Sequence, residues 1–166
     1  MAAYNLIATT TVDSPSGASS IVFLSIPQTY TDLKLVLSGR ATIADNAVQG
    51  AFNGSTSNFS NRILFGTGAS AASNTPANNT VMYQNFSTET ASVFANSELY
   101  IPNYTGSTNK AFYSDSVQEN NATTSYQVLL AGLWSQTAAI TSIGLSITSG
   151  SFAQYSSASL YGIKSS

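Results

Sequence analysis

The sequence predicts an all-β chain: one domain over residues 1–166, folded as an antiparallel β-sandwich of jelly-roll type. Three observations predict it. Apolar side chains alternate with polar ones at a period of two, the signature of half-buried strands. Clusters of Gly, Asn, Ser and Pro interrupt these runs at short, regular intervals, as turns do. No stretch carries a convincing 3.6-residue apolar period, and "ETASVFANSE" (Glu89 to Glu98) offers a helical turn or two at most. Some ten short strands with turn signals between them describe a sandwich or a jelly roll.

The elements follow in order. "YNLIATTTV" and "SIVFLSI" are the first two strand candidates, with "DSPSGASS" as the turn between them. Residues 1 to about 20 are expected to form a flexible or docking segment. In "TDLKLVLSGRA", Leu33, Leu35 and Leu37 point one way and Lys34, Val36 and Ser38 the other. "FNGSTSN" is a turn and "NRILFG" a strand, and the Ser/Ala/Asn-rich run from Gly66 to Asn79 is expected to be one long loop. "TVMYQNF" follows. "SELYIP" is closed by Pro102, which has no N–H to give a ladder and so marks an edge or an end. "NYTGSTNK" is then a hairpin loop with Gly106 at its tip, and "KAFYSDSV" the returning strand. "SYQVLLAGLW" is apolar almost throughout, as expected of a strand in the middle of a sandwich. "SIGLSIT" alternates again, with Ile143, Leu145 and Ile147 on one face, and "ASLYGIK" is the last strand.

Composition narrows the function. Only 7% of the 166 residues are charged and the net charge is −2, while 43% are hydrophobic; a typical globular chain is about 25% charged. Lys34, Arg40, Arg62, Lys110 and Lys164 are scattered, so there is no electrostatic footprint for nucleic acid. The chain has no Cys and no His, which removes disulfides, thiolate chemistry, the usual general base and the commonest metal ligands. "MAAYNLIATT" lacks the basic and apolar regions of a secretory signal, and "VLLAGLW" is far short of the ~20 apolar residues of a membrane helix. A soluble chain made in a cytoplasm is expected, with no membrane partner, no cofactor and no catalysis.

Few residues are candidates for a site. Asp115 and Glu119 are the acids nearest in sequence; with Asn120 they offer an oxygen-rich candidate for Ca²⁺, a cation that takes carboxylate and amide oxygens. The same residues are also ordinary members of a turn. A glycosidase would need two acids across a cleft, and no such pair stands out. Tyr104 beside Asn103 at the hairpin tip, with Tyr113 on the returning strand, is the candidate contact for a neighbouring subunit or a glycan, since Tyr is enriched at interfaces. Trp134, Phe112 and Tyr126 read as core or cross-strand aromatics. Asn-x-Ser/Thr triplets at Asn53, Asn58, Asn78, Asn85, Asn103 and Asn121 are what an Asn/Ser/Thr-rich chain yields by chance.

Three stretches, "SIPQTYTDLKLVLSGR", "ELYIPNYTGSTNKAFYSDSVQENN" and "GLWSQTAAITSIGLSITSGSFAQYSSASLYGIK", together resemble small virion structural proteins of tailed phages of marine bacteria and cyanobacteria. "AFNGSTSNFSNRILFGTG" fits the same pattern, with Asn-Gly closing a hairpin. The resemblance runs from about Ile21 to the C-terminus. It implies a non-catalytic virion subunit that decorates or cements the capsid through contacts with the major capsid protein, or one that belongs to a tail or fibre. It also implies a homotrimer. The alternative it leaves is a tail- or fibre-associated module that binds a host carbohydrate.

Overall fold

A computed structural model describes residues 3–77, 79–119 and 125–164. Among them are twelve strands and no helix: β1 (Ala3–Thr11), β2 (Ser20–Phe23), β3 (Asp32–Gly39), β4 (Ala47–Phe52), β5 (Phe59–Gly66), β6 (Ala71–Asn74), β7 (Thr80–Tyr83), β8 (Ala95–Ile101), β9 (Lys110–Gln118), β10 (Tyr126–Trp134), β11 (Ile143–Ser146) and β12 (Ser157–Lys164). They form an eight-stranded sheet, β1-β12-β3-β8-β9-β10-β5-β6, and a four-stranded sheet, β2-β11-β4-β7. All strand pairings within them are antiparallel.

The order of the strands is informative. With β5, β6, β9 and β10 set aside, the remaining eight run 1-8-3-6 in one sheet and 2-7-4-5 in the other. That is the order produced by two interleaved Greek keys, the jelly roll. The β5–β6 and β9–β10 hairpins are additions to it. They extend the larger sheet by four strands beyond β8.

A single buried cluster joins the two sheets. Leu33, Leu35, Leu37, Leu99, Leu130 and Leu160 come from the larger sheet, and Ile21, Phe23, Val48, Phe52, Ile143 and Leu145 from the smaller. At one end four rings meet: Phe52 packs edge-on against Phe59, Phe112 and Trp134, with centroids 5.1, 5.7 and 5.6 Å away. Trp134 is a core anchor, 2% exposed. Gly132 lies across the ladder from Phe112. A Cβ there would sit 2.2 Å from the Phe112 ring, so the missing side chain is what lets the ring lie flat over the neighbouring strand.

Strand β7 shows how the smaller sheet ends. It is buried throughout, and it is an edge strand, so backbone groups on its open side need partners away from water. Side chains from the inner face of the larger sheet supply them. Ser97 Oγ donates to Tyr83 O, Tyr83 N donates to Ser116 Oγ at 3.2 Å, and Asn61 Nδ2 donates to Thr80 O at 2.9 Å. Gln118 Nε2 donates to Gln84 O just beyond the strand. Strand β9 therefore turns Ser114, Ser116 and Gln118 inward and Tyr113 and Val117 outward.

Turns match their residues. Asn53 and Gly54 have φ of 53° and 75°, and Phe52 and Ser55 exchange backbone hydrogen bonds of 3.1 and 3.0 Å around them. This is the two-residue turn that Asn-Gly favours, but it closes no hairpin of strands: β4 and β5 do not pair, and the turn leads from the smaller sheet towards the larger. The Asn53 carboxamide also ties down a distant loop, donating to Ala139 O and accepting from Thr141 N and Ser142 N. Arg40, just after β3, organises another: its guanidinium donates to the carbonyls of Ser87, Glu89, Thr90 and Val93 at 2.8–3.1 Å.

Several expectations change. "ETASVFANSE" is the turn wrapped around Arg40, and then β8, with no helical turn. The Gly66 to Asn79 run contains β6, which pairs with β5. "AVQGAF" is β4, a strand whose Gly50 breaks the apolar pattern; Val81 fills the space where a Cβ would be, 2.5 Å away. Pro102 ends β8 and does not mark an edge, because β8 lies between β3 and β9. Within the segment expected to be flexible or docking, β1 pairs with β12 from Ala3 to Thr11. Finally, "SYQVLLAGLW" is covered on one face only, with Val128, Leu130 and Trp134 in and Leu129 out.

Candidate interaction surface

Among the described residues no strand covers the outer face of the larger sheet, and cross-strand register sets its side chains in rows. One row runs Leu6, Tyr161, Lys34, Tyr100, Tyr113, Ala131, Arg62. The next runs Ser159, Val36, Glu98, Asp115, Leu129, Leu64. Leu64, Tyr113, Val117 and Leu129 are 41–56% exposed, and all four belong to the added hairpins. Leu64, Tyr113, Leu129 and Ala131 line a shallow, mostly apolar groove beside Arg62. At the far edge, Tyr4 and Leu6 of β1 are 60% and 58% exposed.

Four of the thirteen residues in these rows are charged, Lys34, Arg62, Glu98 and Asp115. Lys34 Nζ pairs with Glu98 at 2.7 Å and stands over the Tyr4 ring, 5.7 Å from its centroid. Contact with the Glu98 carboxylate raises the Lys34 pKa above its ordinary 10.5. A surface pair like this contributes little to stability, so its effect is to neutralise the face locally. Asp115 Oδ1 accepts from Gln127 Nε2 at 3.2 Å. The Tyr100 ring packs against Tyr113 at 5.4 Å, and its hydroxyl donates to Asp32 Oδ2 at 2.6 Å. That hydrogen bond pushes the Tyr100 pKa up to about 12. The other Asp32 oxygen accepts from Asn103 N at 2.9 Å.

The candidate site residues separate. Tyr104 is fully buried and its hydroxyl donates to Pro27 O, so no ring face is left for a sugar or a subunit; burial also raises its pKa. Asn103 is exposed, in a left-handed turn with φ of 47°. Tyr113 is 56% exposed. Of the three, Tyr113 alone presents a ring to the outer face. Asp115 lies within β9, not at its end, and Glu119 follows the strand. Asn120 lies outside the described residues. Among the described residues no group of three or more Asp or Glu side chains converges to hold a metal. Of the glycosylation triplets, Asn53 is hydrogen-bonded through its carboxamide and Asn85 is fully buried; Asn78 and Asn121 lie outside the described residues.

Sequence reasoning passed over Leu64 and Leu129. Their signal was present: in "NRILFG" and "VLLAGL" apolar residues occupy both parities, so a strand with one core face must show the rest outside.

Compared with known proteins, the chain matches no family model, and no curated protein or solved structure is significantly similar to it.

Proposed function

We propose that this chain is a non-catalytic structural subunit of a tailed-phage virion, decorating or cementing the capsid through protein–protein contact. The observation that carries the contact is the apolar outer face of the added hairpins, where Leu64, Leu129, Val117 and Tyr113 stand exposed together. Large contiguous apolar patches on soluble chains mark interaction sites. The virion setting comes from the resemblance of the sequence stretches and not from the fold, since jelly rolls serve unrelated functions.

The test joins imaging to a substitution. In a reconstruction of intact particles, this chain is expected on the capsid with the β5–β10–β9 face against another virion protein. Leu129→Lys should abolish attachment of the purified protein to particles while lowering Tm by no more than about 2 °C, because surface substitutions cost about 0.5 kcal/mol or less. A particle in which that face points to solvent would overturn the proposal.

A second reading, a host-carbohydrate module, is favoured by one observation: the exposed Tyr113 ring beside Tyr100, with Lys34 and Glu98 within the same rows. Glycan-array binding lost in Tyr113→Ala would support it, and an array blank with the native protein would remove it.

A further inference from the structure

The sandwich has four edge strands, β1 and β6 in the larger sheet and β2 and β7 in the smaller. Three are protected. β2 and β6 are four residues long, and shortness is one of the ways natural sheets blunt an edge. β7 is buried, with its backbone satisfied by Ser97, Ser116 and Asn61. β1 differs in length and exposure from the short β2 and β6 and the buried β7. It is nine residues long, "AYNLIATTT", uncharged and without proline like the other edges, and among the described residues no strand lies on its side away from β12. From Ala3 to Leu6 it is exposed on both faces of the sheet, and there it carries the large apolar side chains Tyr4 and Leu6.

We infer that β1 is an assembly edge that pairs antiparallel with β1 of a second copy, centred on Asn5. Several features favour a copy of the same chain as the occupant. An antiparallel strand pair about a two-fold axis is self-complementary by construction, and an uncharged strand meets its own copy without like-charge repulsion. Register is restricted as well. For the two larger sheets to continue into each other with their outer faces on the same side, directly opposed residues must share a face. The axis then passes through a residue. Centring on Asn5 sets Tyr4 against Leu6 of the partner copy, twice, giving two aromatic–aliphatic pairs of the kind that stabilise sheets. The bulge between Leu6 and Ala8 confines the regular pairing to the N-terminal half of β1, since a bulge bends a strand and disrupts its ladder. The two apolar outer faces become one continuous surface. Pairing of this kind gives dimers and not the trimer implied by the resemblance. It does not depend on what the outer face of the added hairpins binds.

The native chain has no cysteine, so single introduced thiols report position cleanly. Single-Cys variants at Tyr4, Asn5, Leu6 and Thr9 would be oxidised in solution, with Leu24→Cys, 71% exposed and outside β1, as the control. Disulfide-linked dimer should peak at Asn5→Cys and be absent at Leu24→Cys, because only a residue on the axis faces its own copy at the 4.5–5.5 Å Cβ spacing of opposed residues. Tyr4→Lys combined with Leu6→Lys should weaken self-association, measured by sedimentation, by about tenfold or more. A monomer at every concentration tested, a flat cross-linking profile, or a dimer unaffected by the two lysines would overturn the assignment.

Discussion

Replacing Arg40 by Met removes one charge and leaves most of the aliphatic stem, so it isolates what the guanidinium does. That group donates to four carbonyls, of Ser87, Glu89, Thr90 and Val93, over 2.8–3.1 Å. A hydrogen bond to a charged group is worth about 1.5–3 kcal/mol, but these do not simply add. The loop is partly exposed, so carbonyls released by the substitution regain water, and the ion itself is no longer held from solvent. We expect a net loss of about 2–4 kcal/mol, well below the roughly 6–12 kcal/mol that four independent bonds would give. For a chain of this size, 3 kcal/mol lowers Tm by about 6–12 °C. Calorimetry or urea unfolding measures it, and hydrogen exchange should rise first in residues 87–93, before β3 and β8 lose protection. Arg40→Lys should recover less than half of the loss, because one ammonium cannot reach four carbonyls spread across a planar fork. A loss below about 1 kcal/mol, or full recovery by lysine, would refute the idea that the guanidinium organises this loop.

Alkaline titration separates the tyrosines. Tyr100, held by the Asp32 carboxylate, and Tyr83, held by burial, have pKa values pushed up from 10.0 to about 12. A raised folded-state pKa means that the proton is held more tightly in the folded protein. The stability it contributes is fully present below pH 10 and is lost as pH climbs from 10 towards 12. Tyr100→Phe should therefore flatten part of the loss of stability above pH 10, measured by urea unfolding at a series of pH values; a loss unchanged by the substitution would contradict this. Gly132→Ala tests the ring-over-glycine contact. The new Cβ would lie 2.2 Å from Phe112, so overpacking should cost about 1–3 kcal/mol, against the small gain that Ala usually brings to a strand. A neutral or more stable variant, measured by urea unfolding, would show that Phe112 can shift freely.

The site was legible only in outline. Tyr113 was singled out and does face solvent, but Tyr104, three residues after the end of β8 and next to the exposed Asn103, turns inward to Pro27 O. A hairpin loop gives no period from which to read side-chain direction. The inversion within β9 has a different cause. Alternation places Ser114 and Ser116 on one face and Tyr113 and Val117 on the other, and hydrophobicity alone would bury the second pair. Ser116 is buried there because β7 ends a sheet inside the protein and its Tyr83 N–H needs a hydroxyl partner, while Ser114 shares that face through alternation alone.

Local chemistry was enough for what is local. Alternation of apolar side chains, Asn-Gly at a turn and the absence of a helical period determined the all-β class, most strands and the Asn53–Gly54 turn, because each depends on backbone preferences a few residues long. Only the tertiary structure decided that the eight-strand jelly roll carries two extra hairpins, that their apolar outer face lies open, and that β1 is an edge without protection. Those depend on which strands lie side by side and which faces are left uncovered, quantities set by contacts between residues far apart in the chain.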